Sequence, residues 1–156
     1  MDNELREIHY TDSIHYELEK TAKLMRKLTV QLFEKLSIDI SLDECCALDM
    51  ISCNEGICQR DLAKLMLKDR ANTGRILDVL EKKGFIKRFI DIKNNRLVRK
   101  MGITVAGTKI LKEISSKLKS YLENVTSAVP KKEIEKVQSI LKDFRLNMEQ
   151  LVEMKI

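Results

Sequence analysis

The sequence predicts a mainly α-helical fold with one small β-ribbon, and three observations lead there. Apolar residues recur every three or four positions over much of the 156-residue chain, the period of a helix with one buried side. Trp is absent and Pro occurs once, a composition that suits helices. Between Cys58 and Thr104, two short helical patterns are followed by an alternating, strongly basic stretch. Helix, helix and basic ribbon in that order are what a reader of duplex DNA needs. The expected architecture is a winged helix-turn-helix over residues 41–104, carried by N- and C-terminal dimerisation helices in residues 1–40 and 105–156.

Each element has its own signal. Residues 1–12 are polar and are expected to fray or to swap onto a partner. From Ser13 the residues Ile14, Leu18, Ala22, Met25, Leu28 or Thr29, Leu32 and Leu36 repeat at helical spacing. They describe one amphipathic helix of about six turns. Ser41 and Glu44 form a capping-box pair for a second, shorter helix, with Leu42, Cys45, Leu48 and Ile51 facing inward and Asn54-Glu55-Gly56 ending it. A short strand around Ile57 can pair with the ribbon. Cys58 and Gln59 open a support helix whose apolar side is Leu62, Ala63 and Leu65 or Met66.

Asp69 then caps a new helix, because its carboxylate can accept from the amides near Asn72, and Ile76, Leu77 and Leu80 supply an apolar stripe that ends near Gly84. This is the candidate recognition helix. Its first two turns carry Arg70, Ala71, Asn72, Thr73 and Arg75, small or hydrogen-bonding residues suited to base edges in a major groove. Phe85 and Ile86 return to the core. The ribbon beyond them, with Asp91 to Arg96 at its tip, sets Lys87, Arg88, Lys93, Arg96, Arg99 and Lys100 against Asp91 alone, the charge pattern of a phosphate-facing wing. Thr104 caps a helix through Ile110, Ile114, Leu118, Tyr121 and Val125, and Pro130 marks a fresh start. From there Ile134, Val137, Leu141, Phe144, Met148 and Leu151 follow a strict 3-4-3-4-3 spacing, the seam of a helix that packs on another helix. With Ile14 and Leu18 these residues are the expected dimer contacts; the competing reading is that the stripe packs on the chain's own core.

Charge sharpens the picture. Residues 58–104 hold 13 Lys and Arg against 5 Asp and Glu, a net +8, so the remainder of the chain carries 16 against 19, a net −3. A basic patch concentrated on a helix-turn-helix pattern is the electrostatic footprint of a nucleic-acid binder. A protein-binding module of the same pattern would not need it, whereas a sequence-neutral DNA-coating protein would share it. The chain shows no phosphate-binding glycine motif and none of the serine or metal motifs of hydrolases, so an enzyme is not expected and neither is a cofactor. The N-terminal stretch lacks a signal-like apolar region and no apolar run reaches the roughly 18–20 residues of a membrane span, which points to the cytoplasm.

Four cysteines lie between positions 45 and 58 without a histidine nearby, a spacing that does not suggest zinc. Cys45 falls where a core residue is wanted. Cys58 falls at the start of the support helix, where the helix field favours a thiolate and Arg60 can add to the effect, so Cys58, with Cys53, is the candidate redox site.

The run RDLAKLMLKDRANTGRILDVLEKKGFIKR, followed by Asn94-Asn95-Arg96 and by the Ile103-Thr104 that precedes a long helix, resembles the MarR family of bacterial transcription regulators. The resemblance extends over nearly the whole chain. It implies that Arg96 is the wing-tip arginine that enters the minor groove, with Asn95 beside it; Asn94 stands where the family carries Asp. It also implies that an effector binds between the dimer helices and the DNA-reading lobe. The function expected is that of a homodimeric, sequence-specific regulator, a repressor, bound to a pseudo-palindromic operator in double-stranded DNA and controlled by a small ligand or by thiol oxidation. Its DNA contacts are expected to be Arg70, Asn72, Thr73, Arg75, Lys87, Arg88, Lys93, Asn95, Arg96 and Arg99.

Overall fold

A computed structural model of the protein describes residues 9–152, with the side chain of Lys93 excepted. The expectation of a frayed N-terminus therefore lies outside the described residues as far as position 8, but Tyr10–Asp12 form one turn of 3-10 helix instead. Six α-helices and one antiparallel pair of strands follow: α1 Ile14–Lys35, α2 Leu42–Cys53, α3 Gln59–Leu65, α4 Arg70–Lys82, β1 Ile86–Lys93, β2 Arg96–Ile103, α5 Val105–Thr126 and α6 Lys131–Leu151. The described residues divide into two compact units that part between Leu42 and Asp43.

In the first unit Ser13 caps α1, its hydroxyl accepting from the Tyr16 amide at 3.3 Å. Leu32 and Phe33 near the end of the helix are buried.

In the second unit the core belongs to the helix-turn-helix and its ribbon. Ala47, Leu48 and Ile51 of α2, Leu62 of α3, Ile76, Leu77 and Leu80 of α4, Ile86 of β1 and Met101 of β2 form one cluster. Met50, Ile57, Met66, Phe85, Ile103, Ile110 and Leu111 pack against it. The choice left open at the end of α3 is settled for Met66, since Leu65 is exposed. Burial of such side chains contributes roughly 1.5–3 kcal/mol each. The chain before α3 joins the ribbon as expected: the Met101 amide donates to the Ile57 carbonyl at 3.0 Å, and the Gly56 amide to the Met101 carbonyl at 3.1 Å.

The start of α5 is tied to the junction between α4 and β1. Thr104 caps α5 by accepting from the Gly107 amide at 3.1 Å, while its own hydroxyl donates to the Gly84 carbonyl at 2.7 Å. Its amide donates to the Phe85 carbonyl at 3.0 Å. Gly107 lies so close to Phe85 that a Cβ there would overlap the carbonyl oxygen. Ile114 and Leu118 are buried farther along α5, but α6 buries no residue at all, and Val137 and Met148 of its 3-4 stripe are about half exposed. No helix among the described residues is long and apolar enough to cross a membrane.

Candidate nucleic-acid interface

The angle between α3 and α4 is set by local chemistry. The chain leaves α3 through a pair of closing hydrogen bonds, Leu67 amide to Lys64 carbonyl at 3.1 Å and Lys68 amide to Ala63 carbonyl at 3.0 Å, with Leu67 in the left-handed region at φ +52°. Asp69 then caps α4, accepting from the Asn72 amide at 2.7 Å. Gln59 of α3 reaches across and donates to the Arg70 carbonyl at 3.1 Å. Its amide nitrogen sits against Gly74, where an added Cβ would come within 3.1 Å of it.

This places the first turns of α4 outward. Arg70, Ala71 and Arg75 are exposed and Asn72 is half-buried. Thr73 is not available: it is fully buried and its hydroxyl donates to the Asp69 carbonyl at 2.8 Å, so it holds the helix to its cap and leaves the set of base-reading residues.

The wing is tighter than the sequence suggested. The ladder runs unbroken from Ile86 opposite Ile103 to Lys93 opposite Arg96, so the turn is Asn94-Asn95 alone, and Asp91 and Ile92 belong to the strand. Both asparagines have positive φ, +51° and +58°, the backbone of a type I′ turn, which asparagine tolerates better than most residues. Residues opposite each other share a face. Ile86, Arg88, Ile90 and Ile92 of β1 therefore share one with Leu97, Arg99, Met101 and Ile103 of β2, and Lys87, Phe89 and Asp91 share the other with Arg96, Val98, Lys100 and Gly102.

Several cations that the sequence reading counted toward DNA are already held by carboxylates. Arg88 donates to Asp78 Oδ1 at 2.7 Å and pairs with Glu81 at 3.5 Å, which fastens β1 to α4 and removes Arg88 from the phosphate-facing set. Lys100 pairs with Asp91, whose carboxyl is held below its usual range first by the lysine hydrogen bond and then by the Ile92 amide. Lys68 pairs with Asp43 at 3.0 Å and Lys83 with Glu44 at 3.5 Å. By contrast, the side chains of Arg70, Arg75, Lys87, Arg96 and Arg99 make no hydrogen bond or ion pair among the described residues. Lys93 completes the expected set, but its side chain lies outside the described residues; Asn95 forms the turn itself.

Arg70 and Arg99 meet at an open cleft of about 440 Å³, where the start of α3, the start of α4 and β2 converge. Cys58, Gln59, Arg60, Leu97 and Val98 complete its lining. Arg60 and Gln59 were missed by sequence reasoning; their place just before the first apolar residue of α3, beside the start of α4, was the available signal. Cys58 does occupy the N-cap of α3 and is half-buried. Its thiol donates to Asp61 Oδ2 at 3.2 Å, and Arg60 Nε turns to the same carboxylate at 3.4 Å. The sulfur therefore has an anionic neighbour, and Arg60 does not serve it as the sequence suggested. Cys53 is exposed at the end of α2.

Residues 40–98 match the family model described as MarR family. Over 96 residues the chain is 29% identical to an uncharacterised HTH-type transcriptional regulator, YybA, of Bacillus subtilis (strain 168), an alignment that covers 62% of this chain and 63% of that protein, less than two thirds of its length. Wild-type MarR from E. coli in its apo form is similar in structure with a TM-score of 0.70 at 20% identity, over 85% of this chain and 96% of that one. A S. aureus MepR structure solved as a DNA complex is similar with a TM-score of 0.71 at 20% identity, over 90% and 99%. Residues 40–98 thus carry the match to the MarR family model, and the chain as a whole shares the winged helix-turn-helix fold of those solved structures.

Proposed function

We propose that the protein is a homodimeric, sequence-specific DNA-binding repressor whose grip on its operator is adjusted by a small ligand. The observation that carries this reading is the sorting of charge within the helix-turn-helix. Arg70, Arg75, Arg96 and Arg99 keep their guanidinium groups free of protein partners among the described residues, whereas Arg88, Lys68, Lys83 and Lys100 are neutralised by carboxylates. A lobe that needed its basicity only for solubility would have no reason to keep four arginines unpaired around α4 and the wing. The MepR structure solved with DNA supports the same use of the fold. Homodimerisation is supported by α6, whose apolar seam is covered only in part, with Ile134, Leu141 and Phe144 half-buried and Val137, Met148 and Leu151 exposed, and a two-fold pair would present its reading helices about 34 Å apart, one turn of duplex. A cleft of about 490 Å³ between the end of α2 and the root of the wing, lined by Ile51, Phe89, Ile103, Glu55 and Lys87 among others, is a different place from the one the family resemblance implies for an effector and is where binding of a ligand can also be sought.

Selection of bound fragments from genomic DNA by the purified protein tests the reading. One palindromic sequence should be enriched, and its affinity should fall with salt; Arg96→Ala and Arg99→Ala should each weaken binding and flatten the salt slope by about 0.9 per lost phosphate contact. Enrichment of no sequence over bulk DNA would leave a DNA-coating protein as the better reading.

A further inference from the structure

Three large aliphatic side chains stand uncovered on one face of the wing. Ile90, Ile92 and Leu97 are 64%, 69% and 74% exposed, and the strand register sets them side by side, with Ile92 directly opposite Leu97 just behind the turn. Such a stripe on a two-stranded ribbon is an invitation to aggregate unless something covers it. What covers it is constrained by its surroundings. Leu97 lines the cleft that also holds Arg60, Arg70 and Arg99, and Arg99 lies opposite Ile90 on the same face. A partner for this surface must therefore bring negative charge and apolar surface together at short spacing. The backbone of duplex DNA does so, because each phosphate is joined to a deoxyribose whose carbons face the groove.

The wing also narrows at its tip, where the turn is two residues long. Arg96 lies on the opposite face of the ribbon from the aliphatic stripe. Entering tip first, such a ribbon turns Arg96 toward one wall of a groove and the aliphatic stripe, with Arg99 behind it, toward the other.

We infer that Ile90, Ile92 and Leu97 form a further DNA contact surface, packing on the deoxyribose wall of the groove that Arg96 enters and adding an affinity component that salt does not screen. The inference rests on the DNA-binding reading above. Its consequence is a separation that phosphate contacts cannot produce: loss of the stripe lowers affinity without changing the salt dependence, whereas loss of Arg96 changes both.

The test compares the wild type with Ile92→Thr/Leu97→Thr and with the conservative Ile92→Val/Leu97→Met. Threonine keeps strand propensity, and the positions are exposed enough that thermal unfolding should be unchanged. The probe is the duplex that the wild-type protein enriches from a random-sequence pool, titrated across a salt series. The double threonine variant should bind about tenfold more weakly at every salt concentration with an unaltered slope, as expected for lost apolar groove contacts, and the conservative variant should bind as the wild type does. Equal binding by the threonine variant, or a loss that appears as a changed slope, would overturn the inference while leaving the DNA reading intact. A change in sedimentation of the threonine variant without DNA would overturn it in favour of a second copy of the chain on this face. Failure of the wild type to bind any duplex would remove the DNA reading and the inference with it.

Discussion

Asn72 and Thr73 are neighbours on α4 with similar polarity, and the helix gives them opposite tasks. Thr73 points into the core, one turn before Ile76 and Leu77, and its hydroxyl is held by the Asp69 carbonyl. Asn72 is half-buried, and its side-chain amide makes no hydrogen bond among the described residues. Thr73→Val should therefore cost about 1 kcal/mol of stability, read by denaturant unfolding, and leave discrimination between operator and scrambled duplex untouched. Asn72→Ala and Arg75→Ala should do the reverse, losing roughly 1–3 kcal/mol of discrimination each. Equal losses on both duplexes would place those two residues on phosphate. The difference between 72 and 73 was legible in the sequence, since positions 73, 76, 77 and 80 share one helical stripe; side-chain polarity hid it. That Arg88 is lost to Asp78 and Glu81 was not legible, because those partners are on another element and come close only once β1 folds back along α4. Cys45 falls where the spacing wants a core residue, but it is only half-buried and lies outside the core cluster; that partial burial still pushes its thiol up to about 11 from an ordinary value of 9.0. A folded-state value above the unfolded one means that the unfolded chain loses this proton first. Cys45 thus draws stability down as pH rises from about 9 toward 11 and has no such effect near neutrality. At neutral pH, alkylation followed by mass spectrometry should label the exposed Cys53 well before Cys45.

Three helices close with the same hydrogen-bond pattern around a left-handed residue, and only one uses glycine. Ser37 follows α1 at φ +50°, Leu67 follows α3 at +52° and Gly84 follows α4 at +75°. For a leucine this conformation is strained, on the order of 1 kcal/mol, and its side chain is 70% exposed, so little burial offsets the strain. Leu67→Gly should raise the midpoint of thermal unfolding, and an unchanged or lower midpoint would show that the leucine side chain stabilises the turn in some other way. The stop signal at Gly84 was legible for the reason that the one at Leu67 was not: glycine marks a left-handed position and leucine does not. The wing tip shows the same logic. Alternation of side chains runs through Asp91 and Ile92, but two adjacent asparagines with positive φ close the ribbon at the last possible point. The caps Ser13, Asp69 and Thr104 were all readable, because the hydrogen bond involved spans only three residues.

At the scale of the molecule, the helix-turn-helix and its core were foreseeable from periodicity because each element's apolar stripe is continuous in sequence. The outer helices are a different matter, since a stripe such as that of α6 reads the same whether it faces the chain's own core or another chain. On α6 no residue is fully buried and half of the stripe is exposed, which is what the dimer proposed above would cover. Leu141→Asp combined with Phe144→Glu should then give monomers in sedimentation equilibrium with much weaker operator binding, and a variant that still sediments as a dimer would return the seam to the interior of the protomer. In the chain α5 stands between the wing and α6, and its first turn is held closely to the junction of α4 and β1. Gly107 touches the Phe85 carbonyl with no room for even a methyl group, and Thr104 holds Gly84 and Phe85 from the same turn. Phe85 is where the reading helix ends and the wing begins. The arrangement makes α5 a tiller set close at its rudder post: a rotation of its first turn would pass to the end of α4 and the root of the wing together. Under the function proposed above, a signal arriving through α5 would misalign both elements on DNA without altering the charge of any arginine they carry.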